Sequence, residues 1–276
     1  MTAGVPLLRV RQVSVRFDGV VALDSVSFDV ERGHICGLIG PNGAGKTTLF
    51  NCVSRLYDVQ GGTIELDGES LLGVPRHAIP RLGIGRTFQN LALFETMSVR
   101  DNILAGGHAR SRGGFLANAL RVPLVAREER KLQDRANHLI EELELIEVAG
   151  APVAALPFAT RKRVELARAL ASQPRLLLLD EPAGGLKHEE VERLRDLIRS
   201  LRDRLELTIL LVEHHLGLVM RVSDRVVVLD FGRTIAEGTP DEMGKHPEVI
   251  RAYLGAAPTG QARPDRDAGG APEGAS

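Results

Sequence analysis

The chain has 276 residues, 43% of them hydrophobic, and its 35 basic and 36 acidic side chains nearly cancel to a formal charge of −1. That length suits one large globular domain or a core with a smaller lobe, and the balanced charge excludes a global electrostatic footprint for nucleic acid. No window reaches the ~18 consecutive apolar residues that a membrane-spanning helix needs, and the start MTAGVPLLRV lacks the apolar core of a signal peptide, so any membrane association is expected to come through a partner. Cys36 and Cys52 both fall in apolar segments and read as small buried hydrophobes in a reducing compartment, not as a disulfide or metal pair. The basic run Arg161 to Arg163 reads as a solvated helix face.

From Leu7 to Val30 apolar and polar residues alternate, as in LRVRQVSVRF and DSVSFDV, which predicts antiparallel strands with one exposed face. HICGLIG, His34 to Gly40, is a short continuous apolar run of the kind found in strands buried on both faces. It ends in GPNGAGKTT, after which LFNCVSRLY has helical character and GGTIELDGESL returns to strand and turn. From about Ser98 to Ala155 the pattern becomes helical and charged. Leu132, Ala136, Leu139, Ile140 and Leu143 share one stripe there, and Ser98 with Asp101 is a capping signal. RLLLLD, Arg175 to Asp180, predicts a second buried strand and LTILLVEHH a third. DRVVVLDFGRTIAEG predicts a final strand pair around a turn at Phe231-Gly232. The tail from Ala256 to Ser276 carries no aromatic or branched aliphatic residue and is expected to be disordered.

Gly40 to Thr47 matches G-x-x-x-x-G-K-[ST] with a buried strand before it and a helix after it. In that context the backbone from Gly40 through Pro41, Asn42, Gly43, Ala44, Gly45 and Lys46 to Thr47 and Thr48 is expected to wrap phosphate oxygens. Lys46 then reaches the terminal phosphates and the Thr47 hydroxyl ligates Mg²⁺. An apolar strand that ends in Asp-Glu is by itself ordinary surface termination. Paired with a phosphate loop it places Asp180 in the magnesium shell and Glu181 against an attacking water as general base, a role typically worth about 10²–10⁴ in rate.

With these motifs the chain resembles the ATP-binding subunits of ABC transporters from about Leu7 to Gly255. The resemblance implies an α/β fold: a RecA-like P-loop NTPase core with an antiparallel β subdomain and an inserted α-helical subdomain at about 95–160, followed by the 256–276 tail. GRTFQN resembles the family's Q-loop, which implies that Gln89 approaches the metal and the attacking water. LLVEHH resembles the switch segment, with His214 at the γ-phosphate, and Phe17 resembles the aromatic that stacks on adenine. The His214-His215 pair is read as strand residues pointing to opposite faces, which excludes joint chelation and leaves His215 without a role. GIGRTFQNLALFETMSVRDNIL, VEHHLGLVM and the ending AEGTPDEMGKHPEVIRAYLG resemble the ATPases of branched-chain amino-acid and related importers. Membership implies ATP and Mg²⁺, a second ABC ATPase subunit, two membrane permease subunits, an indirect link to a secreted substrate-binding protein, no nucleic acid, and a place on the cytoplasmic face of the membrane.

LPFATRKRVELARAL resembles the signature motif and its helix, and AGGL, Ala183 to Leu186, the loop that crosses to the opposite subunit. In this alignment Pro157 stands for the signature serine, Ala159 for a close-approach glycine and Thr160 for a glutamine, while Lys187 occupies a position where the family commonly has Asp or Asn. These departures serve the partner's nucleotide, whereas Lys46, Thr47, Gln89, Asp180, Glu181 and His214 serve this chain's own. Two expectations stand side by side: pairing with a different ATPase at unequal sites, or tolerance of Ala159 with both sites turning over. Leu91, Leu93 and Phe94 are either a docking surface for the membrane subunits or interior packing of the helical lobe. The competing functions are a regulatory subunit that binds ATP with reduced hydrolysis, and an ABC ATPase acting on nucleic acid or ribosomes, which a single phosphate loop fits poorly.

Overall fold

The computed structural model describes residues 6–88, 91–108 and 123–254. The expected tail from 256 onward and Gln89 lie outside them. Two sheets carry the fold. The first is antiparallel, in the order β2-β1-β4-β5, with β1 at Pro6–Phe17, β2 at Val20–Glu31, β4 at Gly61–Leu66 and β5 at Glu69–Ser70. The second runs β10-β9-β3-β8-β7-β6, with β3 at Ile35–Ile39, β6 at Ile84–Arg86, β7 at Leu176–Asp180, β8 at Thr208–Val212, β9 at Arg225–Asp230 and β10 at Arg233–Gly238. Its strands β9, β3, β8, β7 and β6 are parallel, and β10 closes the edge antiparallel to β9 across the Phe231-Gly232 turn.

Every residue of β3, β7 and β8 is buried, as their uninterrupted apolar runs require. Side chains alternate between two cores. Ile35, Ile39, Leu177, Leu179, Ile209 and Leu211 face one, while Cys36, Leu38, Leu176, Leu178, Leu210 and Val212 face the other. The second core also takes the inner face of the antiparallel sheet and the apolar side of helix α1, Lys46–Val53. Both cysteines are buried and free, and burial pushes their thiols up to about 12.

The first core joins the parallel sheet to the helical segment, where α2 spans Val99–His108, α3 Pro123–Glu142 and α4 Phe158–Ala171. The expected stripe is present: Ala136, Leu139, Ile140 and Leu143 are buried and Leu132 partly so. Ser98 caps α2, accepting from the Asp101 amide at 3.1 Å and donating to its carboxylate at 2.6 Å. Beyond the core sheet, α5 spans His188–Leu205, α6 Leu216–Val222, α7 Pro240–Met243 and α8 Pro247–Leu254.

Three sequence expectations change. GIGR contains a short strand, β6, that its pattern did not announce. The strand in LTILLVEHH stops at Val212, so His214 and His215 sit in the turn after it. Residues Arg161 to Arg163 are half-buried, not a solvated face: Arg161 Nε donates to Leu156 O at 3.0 Å, Lys162 Nζ to Glu181 O at 3.4 Å, and Arg163 Nη1 to Leu143 O at 3.3 Å.

Candidate functional site

The register of the parallel sheet brings the motifs to one edge. Leu38 and Asp180 both pair with Val212, and Leu178 pairs with Arg86. Gly40, Thr87, Glu181 and Glu213 therefore leave the sheet at the carboxyl ends of neighbouring strands, the side on which open α/β sheets bind ligands.

The turn from β3 into α1 needs glycine for two separate reasons. Gly45 is the N-cap of α1 in a left-handed conformation with φ of 98°, and a Cβ there would lie 2.6 Å from Ala22 O. At Gly40 a Cβ would lie 2.1 Å from Leu229 O. The β9–β10 turn braces the loop further, because the Gly232 amide donates to Ala44 O at 3.1 Å. The first helical bond runs from the Leu49 amide to Gly45 O at 2.9 Å, so the preceding amides have no partner within the helix. Lys46 is 5% exposed and arches over the loop, its Nζ donating to Gly40 O at 2.7 Å and Pro41 O at 2.9 Å. Burial lowers its pKa, and the Glu181 carboxylate opposes the shift. Asn42, Gly43 and Thr47 are exposed.

Across from the loop, Asp180 is 3% exposed. Its Oδ2 pairs with Arg86 Nη2 at 2.9 Å, and its Oδ1 is buried with no hydrogen-bond partner. Burial raises the Asp180 pKa and Arg86 opposes it. Glu181 adopts a left-handed φ of 47°, a conformation costly for a residue with a Cβ and one that concentrates at functional sites. Its Oε1 lies 2.7 Å from His214 Nε2. The structure thus brings Lys46, Asp180, Glu181 and His214 into one cluster.

Comparison with known proteins agrees with this geometry. The ABC transporter family model matches residues 23–184, and the model for the branched-chain amino acid ATP-binding cassette transporter matches 233–258. The chain is 43% identical to the high-affinity branched-chain amino acid transport ATP-binding protein BraF of Pseudomonas aeruginosa, covering 91% of this chain and 99% of that protein. It is 42% identical to LivG of Escherichia coli over the same shares, again named as a high-affinity branched-chain amino acid transport ATP-binding protein. Among solved structures, an ATP-binding cassette of an ABC transporter in its ADP conformation superposes with a TM-score of 0.80 at 26% identity, covering 91% of this chain and 99% of that one. The chain belongs to the ABC transporter family. It is an ATP-binding cassette, an ATP-hydrolysing subunit that works with membrane permease components.

The cassette's other motifs can be placed on this frame. Phe17 ends β1 half-exposed, with its ring edge-to-face to Tyr57 at 5.2 Å. Pro157 is the N-cap of α4 and offers no side-chain cap. Ala159 lies inside the helix with ordinary right-handed backbone, so this position requires no positive φ. The Phe158 ring lies against Gly185 of the crossing loop, where a Cβ would come within 2.9 Å of it. Lys187 caps α5 poorly. Its amide donates to Glu190 Oε2 at 2.7 Å, but an ammonium has no lone pair with which to accept in return.

Several residues that the sequence did not single out complete the frame. The Glu213 carboxylate, 3% exposed, accepts from the Ala183 amide at 2.6 Å, the His214 amide at 3.0 Å and the His215 amide at 3.2 Å, which ties the crossing loop to the switch turn. His215 gains a structural role, its Nδ1 accepting from the Leu218 amide at 3.2 Å as the N-cap of α6. Gln89 lies outside the described residues, which include Phe88 before it and resume at Leu91. Glu165 Oε1 of α4 accepts from the Phe88 amide at 2.9 Å. Burial raises the Glu165 pKa, opposed first by the Phe88 amide and then by Lys162, the Ala92 amide and Arg168. Arg168 donates to Ala92 O and stacks 5.0 Å from the Phe94 ring. Leu93 packs on the first core, as the interior-packing reading expects, whereas Phe94 is half-exposed. A charged residue on the signature helix whose partners are the two shoulders of the Q-loop leaves no periodic signal in the sequence.

Proposed function

We propose that this cassette powers an importer of branched-chain or related amino acids, hydrolysing Mg-ATP on the cytoplasmic face of the membrane. It would work with two permease subunits, a second ATPase of different sequence and, indirectly, a secreted substrate-binding protein. The substrate class rests on the named relatives and on the match of the 233–258 ending. The observation that carries the hydrolytic reading is the 2.7 Å contact between Glu181 and His214 at the same sheet edge as the phosphate loop.

In this reading the amides between Gly40 and Thr48 wrap the phosphates, with Lys46 swinging from the loop carbonyls to the terminal phosphate oxygens. Phe17 stacks on the adenine. Glu181 accepts the proton of the attacking water, and His214 orients that carboxylate while its imidazole meets the γ-phosphate. Gln89 senses the attacking water from the Q-loop and relays the state of the site to the permeases. Magnesium fits the donor set: Asp180 Oδ1 is buried without a partner and the Thr47 side chain is open at the start of α1. With Gln89 as the third candidate ligand, bound Mg²⁺ would neutralise charge on the phosphates of the nucleotide.

Each nucleotide would be completed by the partner's signature helix, and α4 of this chain would serve the partner's nucleotide. There Pro157 brings neither hydroxyl nor amide proton, while Ala159 keeps its amide. In this reading the sequence keeps every group that serves the chain's own nucleotide, and the opposite site is the weaker one. ATP-driven uptake of labelled leucine into vesicles carrying the assembled complex tests the function. We expect uptake that Glu181→Gln lowers by about 10²–10⁴. Uptake indifferent to that substitution contradicts the proposal.

A further inference from the structure

Arg86 is used by no step of the proposed hydrolysis, yet its side chain is only 10% exposed and sits among the groups that perform it. Burying a guanidinium is costly unless it is paired, and here both terminal nitrogens are engaged while Nε is buried without a hydrogen-bond partner. Nη1 donates to Asn51 Oδ1 at 2.8 Å and to Ser54 Oγ at 2.5 Å, both on or just after α1, the helix that begins at the phosphate loop. Nη2 donates to Asp180 Oδ2 at 2.9 Å. The guanidinium carbon lies 5.2 Å from the centroids of both the Phe50 and Phe88 rings, the first on α1 and the second next to the Q-loop glutamine. A single side chain therefore spans the phosphate-loop helix, the carboxylate at the end of β7 and the root of the Q-loop.

We propose that Arg86 is a positioning residue for the metal site, locking Asp180 through Oδ2 so that Oδ1 alone is presented to magnesium at a fixed offset from the phosphate-loop helix. The planar fork decides this: one arm holds the helix and the other the carboxylate, with the Phe50 and Phe88 rings each 5.2 Å from the guanidinium carbon. A lysine would deliver a point charge to one partner and leave the others unheld. Asp180 Oδ1, buried and without a hydrogen-bond partner, is the atom such a lock would leave for the metal. The inference rests on the Mg-ATP reading above.

Calorimetry of the full chain with ATP, once in excess magnesium and once in EDTA, separates this role from ordinary support. In the wild type magnesium tightens ATP binding. In Arg86→Lys and Arg86→Gln that tightening falls by about tenfold, equivalent to about 1.4 kcal/mol, while the affinity in EDTA stays within about twofold. The double variant Asn51→Ala, Ser54→Ala leaves the Asp180 contact in place, folds on the intact β6–β7 pairing, and loses a smaller part of the tightening. Mn²⁺ electron paramagnetic resonance of the ATP complex gives a second readout, a broadened and more variable metal environment in the Arg86 variants. Equal loss in magnesium and in EDTA, or an unchanged magnesium increment in all three variants, overturns the inference. Absence of any magnesium-dependent binding in the wild type overturns the functional reading itself.

Discussion

The two halves of the proposed composite site differ in how they are held. On the side of the chain's own nucleotide, charged side chains are buried and bonded: Lys46 to the loop carbonyls, Asp180 to Arg86, Glu213 to the backbone amides of Ala183, His214 and His215. On the side that would face the second ATPase in the proposed pairing, two helices begin without a side-chain acceptor, α4 behind Pro157 and α5 behind Lys187. Ser98 caps α2, His215 α6 and Thr239 α7, whereas α1 starts at Gly45, also without a side-chain cap. The contrast separates preorganisation from availability. Both halves present helix starts with open amides, but only the first surrounds them with buried, bonded charged side chains.

The sharpest way to break the preorganised half is at its glycine. Gly45→Ala combines a φ of 98° with a Cβ 2.6 Å from a carbonyl oxygen. The expected loss is about 2–5 kcal/mol, left-handed strain plus overpacking, measurable by denaturant unfolding together with loss of ATP binding. Next comes Glu213→Gln, which sets an amide donor against backbone donors. About 1–3 kcal/mol of unfolding free energy should go, and ATP turnover should fall further than ATP affinity because the crossing loop and the switch turn lose their common anchor. In the partner-facing half the expected effect is smaller and of opposite sign. Lys187→Asn supplies the missing acceptor and removes a cation from the positive end of α5, so denaturant unfolding should report a gain of about 0.5–2 kcal/mol. Least perturbing is a chemical probe: with thiols pushed up to about 12, Cys36 and Cys52 should resist alkylation at pH 8 in the native protein and react only on unfolding.

The preorganised half was also the more legible in sequence, though unevenly. The strands β3, β7 and β8 are continuous apolar runs, and the phosphate loop needs its glycines in fixed positions, so both announce themselves locally. Arg86, Glu165 and Glu213 do not. Each is a charged residue in an otherwise ordinary strand or helix pattern, and its function lies in a partner distant along the chain: Asp180 for Arg86, Phe88 for Glu165, Ala183 for Glu213. The same blindness explains the basic run at Arg161 to Arg163, whose charges satisfy the carbonyls of neighbouring loops instead of facing water. β6 is three residues with a glycine at its centre, too short for alternation to register. The placement of His214 and His215 on the strand fails because β8 ends at Val212, where the Glu213 carboxylate begins to gather amides, a turn that no local pattern marks.

The unequal-site claim is tested most directly by ATP turnover of the assembled complex with the catalytic glutamate replaced in one ATPase at a time. Glu181→Gln in this chain should remove nearly all turnover, by about 10²–10⁴, while the matching change in the partner ATPase should leave most of it. Equal losses from the two substitutions would contradict the account.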